Sequence, residues 1–204
     1  MKKIFISFLI FLLSCTSLKI EKSVYNSKSL IWEKGAMVSA ANPHAVDAAI
    51  EILKKGGSAV DAAIAAHVVL GLVEPQSSGL GGGGFMLNYN FNSRSLTFID
   101  GRETAPTKAT VEMFMNGDTV MPFLEASQSG KAVGVPGAVA LYTTAHEQSG
   151  KLPWSKLFEY AINLAEDGFV VSPRLAGFID LAQNRGRLSI NRGSKDYFYP
   201  NGVP

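Results

Sequence analysis

Residues 74–106 have the sequence EPQSSGLGGGGFMLNYNFNSRSLTFIDGRETAP, in which a run of glycines precedes two short apolar segments. In the first segment large apolar side chains occupy every second position, namely Phe85, Leu87, Tyr89 and Phe91. A period of two predicts a strand that buries one face, here the face of these side chains. Residues 96–99 predict the returning strand, and the polar residues 92–94 predict a turn. The stretch therefore predicts an antiparallel hairpin.

The predicted second strand ends in the sequence DGRETAP at residues 100–106, where Pro106 prevents further pairing. Arg102 is the strongest candidate for a binding residue, because its planar guanidinium can hold a carboxylate through two parallel hydrogen bonds. Asp100 and Glu103 lie beside it in sequence and are expected to hold it in place. By position alone, an ordinary solvated arginine at a hairpin exit is the more common case.

Helices are predicted on both sides of this hairpin. Asn42 and Pro43 provide a cap and a first-turn proline for a helix that runs to residue 55. Ser58 caps the next helix, residues 59–73, which is nearly all apolar and is expected to be buried on most sides. Further helices are predicted at 138–148, at 154–167 and from 173 onward. Two short apolar segments, 37–41 and 132–135, predict additional strands.

The glycine run at residues 79–84 formally matches the Gly-x-Gly-x-x-Gly pattern of dinucleotide sites. Such a site needs a strand before the glycines and a helix after them, whereas here a helix precedes and a strand follows. The glycines are therefore interpreted as backbone that passes close to neighbouring elements, with Ser77 and Ser78 near the ligand. His67 lies in the apolar helix and is interpreted as a core histidine, because no catalytic partner is near it in sequence.

The N-terminal residues have the pattern of an export signal. Lys2 and Lys3 precede an apolar run at residues 4–13, which is too short to span a bilayer comfortably. This run leads into Leu-Leu-Ser-Cys at residues 12–15, which resembles a bacterial lipobox with Cys15 as the lipidated residue. This predicts a signal peptide at 1–14, a lipidated tether at 15–34 and a folded domain at 35–204. The alternative is a short apolar N-terminus that ends in an incidental cysteine.

Composition limits the function further. The chain has 204 residues, of which 47% are hydrophobic and 18% charged, and this is enough to bury the core of one domain. The formal net charge of +2 provides no basic face, so a nucleic-acid partner is not expected. Cys15 is the only cysteine, which excludes an intramolecular disulfide. No metal-ligand spacing links the histidines, and no cofactor is expected.

A series of longer motifs follows a fixed order along the chain. The series consists of GGSAVDAA at 56–63, EPQSSGLGGGGF at 74–85, DGRETAP at 100–106, GVPG at 134–137, LPW at 152–154 and AEDGF at 165–169. Together they resemble the large-subunit half of the gamma-glutamyltransferases, also called glutathione hydrolases, over about residues 35–180. Ser58 departs from the asparagine usual in the family, but either residue can cap the following helix.

The resemblance implies an α+β fold, part of the αββα sandwich of the N-terminal nucleophile hydrolases. It also implies cleavage of gamma-glutamyl amides such as glutathione, with transfer of the gamma-glutamyl group to water or to an amino acid or peptide. Arg102 matches the arginine that holds the donor's alpha-carboxylate, and Glu103 is expected to orient it. The threonine nucleophile would belong to a small subunit of the same precursor, so no catalytic residue is assigned here. Thr143 and Thr144 lie in a predicted helix and are interpreted as structural.

Two alternatives remain from the sequence. A related acylase or a poly-gamma-glutamate transpeptidase of the same architecture would share the glycine run. A truncated, non-catalytic lipoprotein would carry the same helices and hairpin without chemistry of its own. The expected location is outside the cytoplasm, in the periplasm or on the cell surface, with attachment to the membrane through the N-terminal lipid.

Overall fold

A computed structural model describes residues 35–184 and 188–203 of the chain. The predicted signal peptide, the lipidation of Cys15 and the predicted tether lie outside the described residues. The helices are α1 Pro43–Lys54, α2 Ala59–Val73, α3 Phe123–Gln128, α4 Ala138–Ser149, α5 Glu159–Asp167, α6 Pro173–Asn184 and α7 Arg192–Phe198. The strands are β1 Gly84–Asn90, β2 Ser95–Gly101, β3 Met115–Asn116 and β4 Thr119–Val120, and single 3-10 turns lie at Gly130–Ala132 and Trp154–Leu157.

Helix α1 begins as the sequence predicts. The Asn42 side chain accepts a hydrogen bond from the backbone N–H of His44 at 3.0 Å, and Pro43 occupies the first turn. The helix ends before Gly56, whose φ of 85° is a conformation that glycine adopts without strain. These local signals fix both ends of α1 before any tertiary contact is considered.

Helix α2 is the centre of the core. Its first turn is closed by a capping box: Asp61 N–H donates to Ser58 Oγ at 3.0 Å, and Ser58 N–H donates to Asp61 Oδ2 at 2.8 Å. Most of its residues are buried against α1, α4 and α5. The prediction of a helix buried on most sides is confirmed. Each buried valine or isoleucine side chain here stabilises the fold by about 1.5–3 kcal/mol.

Strands β1 and β2 form the predicted antiparallel hairpin. The register pairs Gly84 with Gly101 and Asn90 with Ser95, and Arg94 in the turn has a positive φ of 52°. Met86 and Ile99 pack against the helical core. The predicted burial of the opposite face is wrong within the described residues. The side chains of that face are 58–80% exposed: Phe85, Leu87, Tyr89, Phe91, Leu96 and Phe98.

The alternation of β1 is therefore correct, but the described residues cover the face of Met86 and not the face of Phe85. Helix α4 packs on the hairpin and Met86 faces the helical core, whereas no described element covers the side of Phe85. We call the exposed side the aromatic face, comprising Phe85, Leu87, Tyr89, Phe91, Leu96 and Phe98. A period of two establishes that a strand has two unlike faces, but neighbouring elements decide which one is covered.

The two additional predicted strands do not form. Residues 37–41 have no strand partner among the described residues. At 132–135 the chain leaves a 3-10 turn, and only Val135 pairs, through an isolated antiparallel bridge with Thr104. An apolar segment becomes a strand only where a neighbour pairs with its backbone over several residues, and neither segment has such a neighbour among the described residues. Helices and small antiparallel sheets occupy separate stretches of the chain, which agrees with the predicted α+β class.

Candidate functional site

Three motifs that are distant in sequence meet at one end of the hairpin. The carbonyl oxygen of Gly82, in the glycine run, accepts hydrogen bonds from the backbone N–H groups of Gly137 and Ala138, each at 3.0 Å. A Cβ on Gly137 would overlap the backbone carbonyl of Gly101 at the end of β2. The backbones touch directly, and only glycine leaves room for this contact. The sequence interpretation of the glycines as close-passing backbone is confirmed.

Arg102 lies at this junction, immediately after β2. Its backbone N–H donates to Asp100 Oδ1 at 2.9 Å, and its guanidinium Nη1 forms an ion pair with Glu103 Oε2. The Arg102 side chain is 60% exposed, and that of Glu103 is 28% exposed. No described residue bonds to Arg102 Nε or Nη2. The guanidinium is thus held on one side by Glu103 and keeps donors free on the other.

Two cavities border Arg102 and Glu103. The first has a volume of about 420 Å³, and we call it the glycine-run cavity; it is lined by His67, Pro75, Ser77, Ser78, Gly79, Gly81, Gly82, Gly83, Arg102 and Glu103. The second, of about 360 Å³, extends from Arg102 along residues 103–106 to Lys131 and Gly134. Both volumes lie in the range of small-molecule sites. The structure brings the predicted residues Arg102, Glu103, Ser77 and Ser78 to one cavity.

His67 of α2 also lines the glycine-run cavity, which the sequence did not indicate. Its Nδ1 lies 2.7 Å from the hydroxyl of Tyr142 on α4, and the two rings meet edge to face. Burial lowers the pKa of His67 and raises the pKa of Tyr142 to about 12. His67 is satisfied by a partner, as expected for a core histidine, but it is only half-buried. Tyr142 is 75 residues away in sequence, so no local signal could have identified this pair.

A buried carboxylate anchors the loop behind the cavity. Glu74, at the end of α2, accepts hydrogen bonds from Asn42 Nδ2 at 3.1 Å, Gln76 Nε2 at 2.6 Å and Arg174 Nη1 at 2.5 Å. Burial alone would raise the pKa of Glu74, but the hydrogen bonds from these partners and the charge of Arg174 outweigh it and lower the pKa. Arg174 Nη2 also donates to Ser77 Oγ at 3.4 Å. The cluster joins α1, α2 and α6 where the cavity loop begins.

The threonine pair of α4 has a structural role, as the sequence predicts. Thr143 Oγ1 donates to the Val139 carbonyl within α4 at 3.0 Å, as in an ordinary helix. Within residues 35–184 and 188–203 no three side chains of His, Cys, Asp or Glu are grouped as metal ligands would be. What the site offers is a cation with free donors, an adjacent carboxylate, and glycine backbone around a small cavity. These groups can bind and orient a polar ligand that carries a carboxylate.

Comparison with known proteins gives consistent matches. A sequence model of the family described as gamma-glutamyltranspeptidase matches residues 45–204. The glutathione hydrolase proenzyme of Bacillus subtilis is 41% identical over 185 residues, which are 90% of this chain and 31% of that protein. The capsule biosynthesis protein CapD proenzyme of Bacillus anthracis is 41% identical over 195 residues, 94% of this chain and 32% of that protein.

A solved structure agrees with the sequence matches. The crystal structure of Helicobacter pylori gamma-glutamyltranspeptidase superposes with a TM-score of 0.76 at 36% identity, covering 83% of this chain and 48% of that one. The chain spans about a third of the length of the curated relatives it matches, 31% and 32% of the two proenzymes.

Proposed function

The chain belongs to the gamma-glutamyltranspeptidase family, and on this premise we propose that the complete protein cleaves gamma-glutamyl amides such as glutathione. The structural similarity confirms the predicted fold class, that of the N-terminal nucleophile hydrolases. In the proposed reaction the gamma-glutamyl group passes to water or to an amino acid or peptide acceptor. This chain contributes the part that binds the donor.

One observation carries the proposal. Arg102 stands at the border of the glycine-run cavity, with Nη1 held by Glu103 and with Nε and Nη2 free of partners among the described residues. A guanidinium presented in this way binds a carboxylate through parallel, charge-assisted hydrogen bonds. Arg102 would hold the alpha-carboxylate of the donor, and Glu103 would keep the guanidinium in orientation. No cofactor is needed for this binding step.

The reacting groups would come from the small subunit of the same precursor. Its N-terminal threonine hydroxyl attacks the gamma-amide carbonyl, and the threonine's own alpha-amine takes the hydroxyl proton. The proton passes to the leaving amine, and a gamma-glutamyl ester remains on the threonine until an acceptor attacks it. Two backbone N–H groups of that subunit would stabilise the oxyanion. The residues of this chain fix the donor so that its amide meets the nucleophile.

The aromatic face supports the presence of this second subunit. Phe85 and Phe98 stack with ring centroids 5.9 Å apart, and both rings are more than half exposed. A contiguous apolar face of this kind marks an interaction surface. We assign it to the second sheet of the sandwich, contributed by the small subunit. The curated relatives are themselves named proenzymes, which agrees with cleavage of one precursor into two parts.

We further propose that the protein is exported and anchored by lipid. Residues 1–14 would be the signal peptide, Cys15 the lipidated residue, 15–34 the tether and 35–204 the folded part. No helix in the described ranges is long and apolar enough to cross a membrane. Replacement of Cys15 by serine should move the protein from the membrane fraction to the soluble one. Retention in the membrane fraction would remove the lipid anchor from the proposal.

The function is tested on the complete precursor with gamma-glutamyl-p-nitroanilide. The variant Arg102→Lys keeps the charge but loses the planar pair of donors, so KM should rise about tenfold or more. Arg94→Lys, the same exchange in the exposed hairpin turn, is the matched control and should leave KM unchanged. Equal kinetics for both variants would remove the role assigned to Arg102.

A substrate panel separates the related activities. The second candidate is a poly-gamma-glutamate transpeptidase, because the Bacillus anthracis relative at 41% identity is described as a transpeptidase enzyme and such an enzyme would share the glycine run. An acylase would instead hydrolyse amides whose acyl group is not gamma-glutamyl. If the precursor acts on none of these compounds, the non-catalytic lipoprotein becomes the better description.

A further inference from the structure

The edge of the His67 ring lies beside the glycine run. A Cβ on Gly84 would come within 4.0 Å of His67 Cε1, the ring carbon bonded to both nitrogens. Nδ1 is occupied by Tyr142, which does not line the cavity. Nε2 has no hydrogen-bond partner among the described residues, and the ring lines the same cavity as Arg102 and Ser78. His67 therefore has one uncommitted polar atom on a ring that borders this site.

The hydrogen bond with Tyr142 fixes which nitrogen carries the proton. Tyr142 is 1% exposed, and its hydroxyl has no other acceptor among the described residues than His67 Nδ1. A buried hydroxyl donates wherever an acceptor is within reach, so Tyr142 O–H donates to Nδ1. Burial lowers the pKa of His67, so the ring is neutral near pH 7 and Nε2 carries its only N–H. The free atom is thus a hydrogen-bond donor.

A donor at this position needs an acceptor from a ligand. Of the two charged side chains that line the cavity, Glu103 is already paired with Arg102. The Ser78 hydroxyl also lines the cavity and is buried without a hydrogen-bond partner in the described part of the chain. His67 also borders a second cavity of about 570 Å³, whose walls are mostly apolar and include no charged side chain. Uncommitted polar atoms around one cavity indicate a polar ligand.

We propose that His67 is a specificity-determining residue, donating its Nε2–H to the alpha-carboxylate of the gamma-glutamyl donor that Arg102 also binds. The proposal rests on the proposed function, because it assigns a second contact to the same donor. Tyr142 is the positioning residue that holds the ring in the donating tautomer. The two contacts would select substrates with a free alpha-carboxylate over amides that lack one.

The test uses the complete precursor and two variants. His67→Leu removes the donor while filling similar space, and it should raise KM for gamma-glutamyl-p-nitroanilide about tenfold or more with kcat little changed. His44→Leu is the matched control, because His44 contacts Phe169 and does not line the cavity. If leucine only destabilised the fold, the unfolding temperature would fall, but KM would not rise separately from kcat. Equal KM values for wild type and His67→Leu would overturn the proposal.

Binding of L-glutamate separates this inference from the proposed function. Calorimetry should show wild-type binding that His67→Leu weakens about tenfold or more, even if no amide is cleaved. Cleavage with equal L-glutamate affinity in both proteins would overturn only the role of His67, whereas neither cleavage nor binding would overturn both proposals. A further measurement uses only the wild type, so it tests the contact even if His67→Leu fails to fold. In histidine-15N-labelled wild type, the protonated Nε2 of His67 should shift on addition of L-glutamate, and an unchanged signal would contradict the contact.

Discussion

The variant Gly83→Ala adds a methyl group that should separate β1 from the end of β2. A Cβ there would overlap the carbonyl of Gly101 and would lie 2.8 Å from both the backbone nitrogen and Oε2 of Glu103. Two of these obstacles are backbone atoms, so the segment that carries Arg102 has to move. Overpacking of this kind costs about 1–3 kcal/mol. Because each kcal/mol lowers the unfolding temperature of a domain of this size by about 2–4 °C, a fall of several degrees is expected.

Gly81 in the same run provides the control. A Cβ at Gly81 meets no atom within 4 Å, and its backbone is not in the left-handed region. Gly81→Ala should therefore leave the unfolding temperature unchanged, or raise it slightly by restricting the unfolded chain. Thermal unfolding of the complete protein, followed by circular dichroism, compares the two variants. Equal unfolding temperatures would refute the direct backbone contact between the glycine run and β2.

Three further variants test the core and the hairpin. Asp61→Ala removes the acceptor for the Ser58, Lys151 and Leu152 N–H groups and should lower the free energy of unfolding by about 3 kcal/mol or more, measured by urea titration; a loss below about 1 kcal/mol would contradict it. Because the pKa of Glu74 is lowered in the folded state, its stabilisation is present above the ordinary value of 4.5 and is lost as the pH falls through the folded pKa. The stability difference between wild type and Glu74→Gln should accordingly shrink on acidification in pH-dependent melts, and a constant difference would exclude this linkage. Phe98→Ser should destabilise the complete protein yet reduce self-association of this chain expressed alone, as measured by light scattering, whereas unchanged association would argue against an adhesive aromatic face.

Local signals were sufficient wherever a few neighbouring residues determine the backbone. The Asn42 cap, the Ser58 cap and the strand of β1 each depend on a few neighbouring positions, and each forms as predicted. Signals that need a partner were weaker. The segment at 37–41 has the composition of a strand, but no described strand lies beside it to accept its hydrogen bonds.

The candidate site divides in the same way. Arg102 and Glu103 are adjacent in sequence, so their pairing could be expected from the sequence alone, and the structure places them together. His67 could not be connected with the cavity from the sequence, because its partner Tyr142 is far away on another helix. The interpretation of His67 as a core residue accounts for the contact of Nδ1 with Tyr142. It does not account for the part of the ring that borders the glycine run.

The sequence by itself determined the hairpin, the helices around it and the residues at the hairpin end, because capping, alternation and turn formation involve contacts between near neighbours. Only the tertiary structure decided which face of the hairpin the helices cover, since both faces of β1 satisfy the same alternation and the choice depends on where α4 packs. It also decided that the glycine run, Arg102 and His67 share one cavity. Such contacts join residues that are far apart in the chain, and they form only when burial of the apolar helices brings those residues together.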